Sequence, residues 1–348
     1  MLKTVEMDLE YLNTLDSPPM NAAQLQQNAA SNDDNTINAW RDTWIRNMKA
    51  NHEKHGPFCS NGIGKMFGKF HHRPCIVAGA GPSLANNIQG LKEIGDIGLI
   101  SVLHNFHYMV DHEIDVDFFV SLDAGKVTIP EISEGGKHPH EHYLEKTKDY
   151  TLCAFIGSDP ELIDSWKGEI LWFNCPIPDQ QCRDEYDKTE TFHHYVSNGG
   201  NVLGASMYIA KAYGGANPIA YVGADFAFGY KKNFHPWPSK YDGKLGNFMR
   251  TVDCYGNKVY TWASYMGFKQ WFDGISMRVP GEWINCTEGG TLGVYPEGLI
   301  KYIRHKPLAE FIAGYRGYEQ MKFQAEHPED AKEDPGVPGM VPQPKIFF

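Results

Sequence analysis

Short unbroken apolar runs alternate along this chain with stretches whose apolar residues recur every three or four positions. The first run is Cys75-Ile76-Val77-Ala78, which leads through Gly79-Ala80-Gly81-Pro82-Ser83 into Leu84, Ile88 and Leu91. Four consecutive apolar residues suit a strand buried on both faces, and the spacing of the three that follow suits one face of a helix. The same strand pattern returns at Leu99–Leu103, within Asp115–Leu122, at Thr151–Ile156 and Glu169–Phe173, in Pro218–Val222, and at Trp283–Cys286. Strands alternating with helices predict an α/β fold, Rossmann-like and doubly wound, with a mostly parallel sheet and helices on both faces. Ligands of such sheets lie outside the carboxyl ends of the strands. The residues expected there are Gly79 to Ser83, Asn105 after the second strand, Asp123 after the third, and Gly223 and Asp225 after Val222.

Around these strands the pattern divides the chain into a flexible N-terminal arm over 1–37, one domain over 38–323, and a Pro-rich flexible tail over 324–348. A helix from Asn38 would pack Trp40, Trp44 and Met48 on the domain. Residues 124–150, with Gly135-Gly136 and the alternating His138, His140 and His142, suit a solvated excursion better than a metal site. A polar connection through Arg183 and Glu185 precedes Ser197-Asn198-Gly199-Gly200-Asn201. That turn opens a helix expected to bury Ala205, Met207, Ile209 and Ala212. Residues 229–250, aromatic, basic and rich in turn formers, predict a lid-like insertion. A hairpin over Arg250–Thr261, a helix over 262–275, and helices over 297–305 and 307–323 complete the expected order.

Charge and composition narrow the functions. The 348 residues carry a formal charge of −11, which argues against a broad basic surface for nucleic acid and leaves room for a nucleotide. No apolar stretch is long enough for a membrane span and the N-terminus has no signal pattern, so a cytoplasmic location is expected. Seven scattered cysteines without metal-ligand spacing predict buried thiols rather than disulfides.

The candidate chemistry begins at Gly79, Gly81, Pro82 and Ser83, where glycines and a helix N-terminus would accept a phosphate. A Gly-x-Gly turn with no third glycine serves equally as an ordinary strand-to-helix connection. On the phosphate reading, Gly81→Val would remove nucleotide binding and leave the fold intact.

The run from Cys75 to Leu84, then Asp117–Asp123, Gly223-Ala224-Asp225-Phe226-Ala227-Phe228 with His235 downstream, and Asn285-Cys286-Thr287-Glu288-Gly289-Gly290 resembles the DUF115 family. That family includes the motility accessory factors, which look like flagellin glycosyltransferases, and the MptE-like 6-hydroxymethylpterin diphosphokinases. The resemblance spans roughly residues 38–312. Ala224 stands where the family commonly has Gln, and Ala85 where it has Asp or Asn. A shorter likeness, in Gly79–Leu84 and Asn105-Phe106-His107-Tyr108, is to bacterial sialyltransferases that use CMP-sugars.

The resemblance implies a transferase with a nucleotide-activated donor, and glycosyl transfer is the favoured reaction. Nucleotide contacts would then come from Gly79, Gly81, Pro82, Ser83, Asn105, Asn198, Gly199, Gly200, Gly223, Asn285, Glu288, Gly289 and Gly290. Asp225 and His235 are the acid-base candidates. No cofactor is firmly implied. If the reaction is instead pyrophosphoryl transfer from ATP, Mg2+ would bridge the phosphates and be held by Asp123 and Asp225, with an aromatic such as Phe106, Tyr108 or Trp237 stacking the pterin. A third alternative is a non-catalytic binding or assembly module on the same fold.

Overall fold

The computed structural model describes residues 22–316 apart from 72, 190–193, 229–232, 240–241, 243–247 and 296–297. The expected Pro-rich tail, the first part of the expected N-terminal arm and much of the lid-like insertion, Tyr241 included, lie outside the described residues. The chain divides into two units, 1–308 and 309–348. In the second, residues 309–316 are helical.

The order of elements follows the alternation. Helix α1 (Ala22–His55) precedes β1 (Cys75–Ala78), α2 (Leu84–Leu91), β2 (Gly98–Val102), α3 (Phe106–Asp111) and β3 (Phe118–Ser121). Then come α4 (Thr128–Glu131), α5 (His140–Lys146), β4 (Thr151–Phe155), α6 (Pro160–Ser165) and β5 (Ile170–Phe173). Helices α7 (Gln180–Tyr186) and α8 (Val202–Tyr208) lead back to β6 (Ile219–Val222). The hairpin β7 (Met249–Val252) and β8 (Lys258–Thr261), helix α9 (Ala263–Arg278), β9 (Trp283–Asn285), the short pair β10 (Val294–Tyr295) and β11 (Gly298–Leu299), and β12 (Ile303–His305) follow.

Eight strands form one sheet in the order β12-β9-β6-β1-β2-β3-β4-β5, and every pairing in it is parallel. β1, β2, β3 and β6 are buried along their whole length, as strands covered on both faces must be. The chain starts at β1, winds outward to β5, and returns to place β6 on the other side of β1. The topological switch therefore lies between β1 and β6, and the doubly wound Rossmann-like fold is as expected.

Several local expectations are corrected. α1 begins at Ala22, sixteen residues before Asn38, because its first turns, rich in Ala and Gln, continue the helix with no Gly or Pro to interrupt it. The 124–150 excursion contains two α-helices and a 3-10 turn over Thr147–Asp149, and Pro139 stands immediately before α5, so His140 and His142 are helical. The polar connection is α7, whose N-cap Asp179 accepts a hydrogen bond from the Cys182 N–H at 3.0 Å. A π-helical turn over Ile209–Tyr213 shifts the face of the helix after α8, so Ala212 is exposed and Tyr213 buried. The helix expected over 297–305 is not formed: β12 runs there as the sheet's edge, paired with β9. Six of the seven cysteines are buried thiols and Cys59 is exposed. Among the described residues no helix is long and apolar enough to cross a membrane.

Candidate functional site

The turns after β1 and β6 are locked together. Gly79 N–H donates to Val222 O and Gly81 N–H to Gly223 O, each at 2.9 Å. A Cβ on Gly79 would lie 2.5 Å from Gly223 O, and one on Gly223, at φ +59°, would lie 2.4 Å from Gly79 O. These glycines are required by the approach of two backbone turns to each other. Asp225 completes the lock: its Oδ2 accepts from Ser83 Oγ at 2.7 Å and from the Ser83 N–H at 3.4 Å. The carboxyl thus sits at the start of α2, where a phosphate was expected. Burial, with only 7% exposure, raises its pKa to about 7 against the opposing hydrogen bonds from Ser83.

The loop after β9 closes over Asp225. Asn285 Oδ1 accepts from the Thr287 N–H at 2.9 Å, Thr287 Oγ1 accepts from the Ala224 N–H at 3.2 Å, and the Thr291 N–H donates to Asp225 O at 2.7 Å. Gly290, at φ +69°, leaves no room for a side chain, since its Cβ would come within 2.4 Å of Asp225 Cα. Glu288 Oε1 accepts from Asn87 Nδ2 and from the Leu308 N–H, both at 3.1 Å. Asn105 is fully buried beneath the first turn and donates to Gly79 O at 3.0 Å and Ser101 Oγ at 3.1 Å.

His235 lies over the same turn. Its Nδ1 donates to Ala80 O at 2.8 Å, its ring stacks on Trp237 at 4.7 Å, and the His104 ring meets it edge-on at 4.4 Å. Burial lowers the pKa of His235 and takes that of His104 to about 3, so both imidazoles are neutral at pH 7. With Nδ1–H committed to the carbonyl, His235 keeps its Nε2 lone pair for a proton.

Beside this locked centre, the carboxyl ends of β2 to β5 open into two adjoining chambers. The first, about 370 Å3, is the more polar of the two: His104, Ser121, Asp123, Thr128 and Glu131 line it together with apolar Trp40, Leu103, Val120 and Val202 and with Gly200-Asn201 before α8. The second, about 440 Å3, has no charged side chain among the described residues of its lining, which includes Trp44, Phe155, Ser197, Ser264, Phe268 and Trp271. Thr36, Trp44, Leu122 and Gly200 border both. Helix α1 is held across the strand ends by two asparagines. Asn47 Nδ2 donates to Ala124 O at 3.0 Å and Gly157 O at 3.1 Å, and Asn51 Nδ2 to Ile156 O and Ser158 O, both at 2.9 Å. Arg41 adds a 2.7 Å ion pair to Asp179.

The residues expected at the site thus fall into two groups. Gly79, Gly81, Pro82, Ser83, Asn105, Gly223, Asp225, Asn285, Glu288, Gly289 and Gly290 belong to the locked centre, with His235 resting on it. Asp123, Asn198, Gly199 and Gly200 border the chambers. Asp123 reaches solvent, yet the crowding chamber walls raise its pKa above the usual carboxylate value, with the Gly125 N–H opposing from 3.0 Å. Gly199 and Gly200, at φ +57° and +82°, form a tight turn whose Cβ positions face Trp271 and Phe268. The amides expected to hold phosphate are engaged within the protein, since Gly79, Gly81 and Ser83 donate to their own partners, and Gly200 N–H, expected at the nucleotide, donates to Asn198 Oδ1 at 2.7 Å.

Asp123 and Asp225 are not brought together. They follow β3 and β6, three strand steps apart in the sheet, or about 14 Å at the usual spacing. Among the described residues no group of three or more His, Cys, Asp or Glu is placed to hold a metal ion. His138 and His142 pack ring on ring at 4.3 Å instead. Sequence reasoning passed over His104, Glu131 and Trp271, and gave Trp44 a packing role alone. For His104 a signal existed, since it directly precedes Asn105 at the end of a strand; the others depend on how helices cross the sheet.

Comparison with known proteins gives the family. Residues 43–231 match the family described as 6-hydroxymethylpterin diphosphokinase MptE-like, and the chain belongs to it. Its structure is similar to that of a MAf glycosyltransferase from Magnetospirillum magneticum AMB-1, with a TM-score of 0.52 and 14% sequence identity. The likeness covers 79% of this chain and 44% of that one, so this chain spans less than half the length of its structural neighbour. No curated protein matches the chain.

Proposed function

We propose that this member of the MptE-like family is a transferase that takes a nucleotide-activated donor and moves a glycosyl group from it. The observation that carries the proposal is the pair of chambers meeting at Trp44, Leu122 and Gly200 beside the switch point. Transfer between two substrates needs two sites within reach of each other, one with proton-transfer and polar groups. The likeness to a glycosyltransferase structure supports the same reaction.

In this reading the donor enters at the switch point and extends into the polar chamber. His104 lines that chamber, and His235, packed edge-on against it, is the neutral imidazole that takes the acceptor proton through Nε2. Asp225 is a positioning residue: it ties Ser83, at the start of α2, to the β6 turn, in the same Gly79–Ser83 turn whose Ala80 carbonyl orients His235.

One observation favours pyrophosphoryl transfer as a second reading. Asp123 and Glu131 line the same chamber, and two carboxylates with waters are a fitting donor set for Mg2+ on a nucleotide's phosphates. Bound there, the ion would neutralise phosphate charge.

Calorimetric titration with CMP, UDP and ATP, each with and without Mg2+, separates the readings. CMP or UDP binding that needs no metal supports glycosyl transfer. ATP binding only with Mg2+ moves the assignment to pyrophosphoryl transfer. The absence of any nucleotide binding removes both.

A further inference from the structure

The second chamber is walled unlike the first. Rings from three parts of the chain line it: Trp44 of α1, Phe155 at the end of β4, and Phe268 and Trp271 of α9. Trp44, Phe268 and Trp271 are each half-buried, so part of each ring remains uncovered. Trp271 is fixed in place by the glycine turn, since a Cβ on Gly199 would lie 2.3 Å from the indole. Ser197, Asn198 and Ser264 also line it, and among the described residues of the lining no Asp, Glu, Lys, Arg or His occurs. At about 440 Å3 the chamber falls in the usual range of small-molecule sites, roughly 300–1,000 Å3.

Such a lining offers nothing to a charge, because an ion placed there would give up part of its water with no counter-charge in return. It suits a neutral molecule with an apolar face for the rings and hydroxyls for the serines. The chamber's place in the sheet says which substrate this is. Donors of open α/β sheets bind at the switch point, here between β1 and β6. The polar chamber lies over β2 and β3, while the second chamber reaches Phe155 of β4 and Cys175 beyond β5, on the side away from the switch.

We infer that the uncharged chamber between α1 and α9 is the acceptor site, and that the acceptor is a neutral saccharide stacked on Trp44 and Trp271. This rests on the transferase reading above. The acceptor's hydroxyl would point through the border at Leu122 and Gly200 toward the polar chamber. There it displaces the nucleotide from the donor's anomeric carbon: the new C–O bond forms, the bond to the phosphate oxygen breaks, and the acceptor proton passes to the imidazole.

Gly267 provides a test that spares the fold. It lines the chamber, and a Cβ added there meets nothing within 4 Å. Gly267→Leu therefore fills the chamber while improving helix propensity. Saturation-transfer NMR and tryptophan fluorescence would follow methyl β-galactoside and methyl α-glucoside, their uronic-acid and amino-sugar counterparts, and CMP and UDP on the parent protein and on the variant. The expected result is that a neutral glycoside binds the parent with about millimolar affinity, that Gly267→Leu and Trp271→Ala weaken it about tenfold or more, and that Gly267→Leu leaves nucleotide affinity unchanged. Equal binding of the charged sugars overturns the inference. So does a loss of nucleotide affinity in Gly267→Leu with no glycoside binding to the parent, which would assign the chamber to the donor's base and leave the transferase reading standing. If no nucleotide binds the parent, the transferase reading falls and the acceptor assignment with it.

Discussion

Asp225 shows how a single buried carboxyl ties the fold to pH. Its carboxyl is buried against Ser83, and burial lifts its pKa from the ordinary 3.8 to about 7. The folded protein then holds a proton that the unfolded chain has released, so stability falls as pH rises between those two values and levels off above the higher. The full shift corresponds to an upper bound of about 4 kcal/mol. Asp225→Asn keeps an acceptor for Ser83 and cannot ionise. Urea unfolding across pH 4 to 8 is expected to show the declining slope in the parent and its loss in the variant, which becomes the more stable of the two near pH 7.5. Gly81 belongs to the same contact, and here the structure reverses an expectation. A Cβ at Gly81 would lie 2.1 Å from Asp225 Oδ2 and 2.7 Å from Gly223 O, so Gly81→Val damages the fold before it can report on a ligand. Gly81→Ala is expected to cost about 2–3 kcal/mol, whereas Gly289→Ala, whose Cβ meets only Ser83 Cβ at 3.7 Å, leaves the melting temperature within about a degree.

Among elements, α1 is the one whose role the sequence concealed. The β1 turn, the ends of β2, β3 and β6, and the hairpin were legible because each is written locally, as an apolar run beside glycine, an acid or a turn. Trp40 and Trp44 were legible as a helical face, but nothing local says that this face covers the carboxyl ends of the sheet. That placement depends on Asn47 and Asn51, whose side chains each bridge two carbonyls between 77 and 110 residues away. Asn51→Leu would strip two buried carbonyls of their donor, at about 1–3 kcal/mol each. The expected outcome is a lower unfolding midpoint together with a changed near-UV signal from Trp40 and Trp44; an unaltered midpoint would remove the asparagine clamp from the account. The same locality explains the miss at β12, where an edge strand of three residues carries too little pattern to distinguish it from a helical turn.

At the scale of the whole molecule, strand order decides which groups can act together. On the pyrophosphoryl-transfer reading, Asp123 and Asp225 were expected to hold Mg2+ because each follows a strand at the ligand edge of the sheet. The observed order puts β1 and β2 between their strands, and at about 14 Å no single Mg2+ with ligands near 2.1 Å reaches both carboxylates. Glu131, from the short α4, is the carboxylate that the fold places in the chamber with Asp123. The two arrangements differ in what substitution does to the metal response. If an ion serves this site, Asp123→Asn should weaken the Mg2+ dependence of nucleotide binding, Glu131→Gln should do likewise, and Asp225→Asn should leave it as in the parent. Titrating each variant with ATP in Mg2+ and in EDTA reads this directly. Equal loss in Asp123→Asn and Asp225→Asn would mean that the two strand ends approach each other on binding, and the locked turns of β1 and β6 would then have to open.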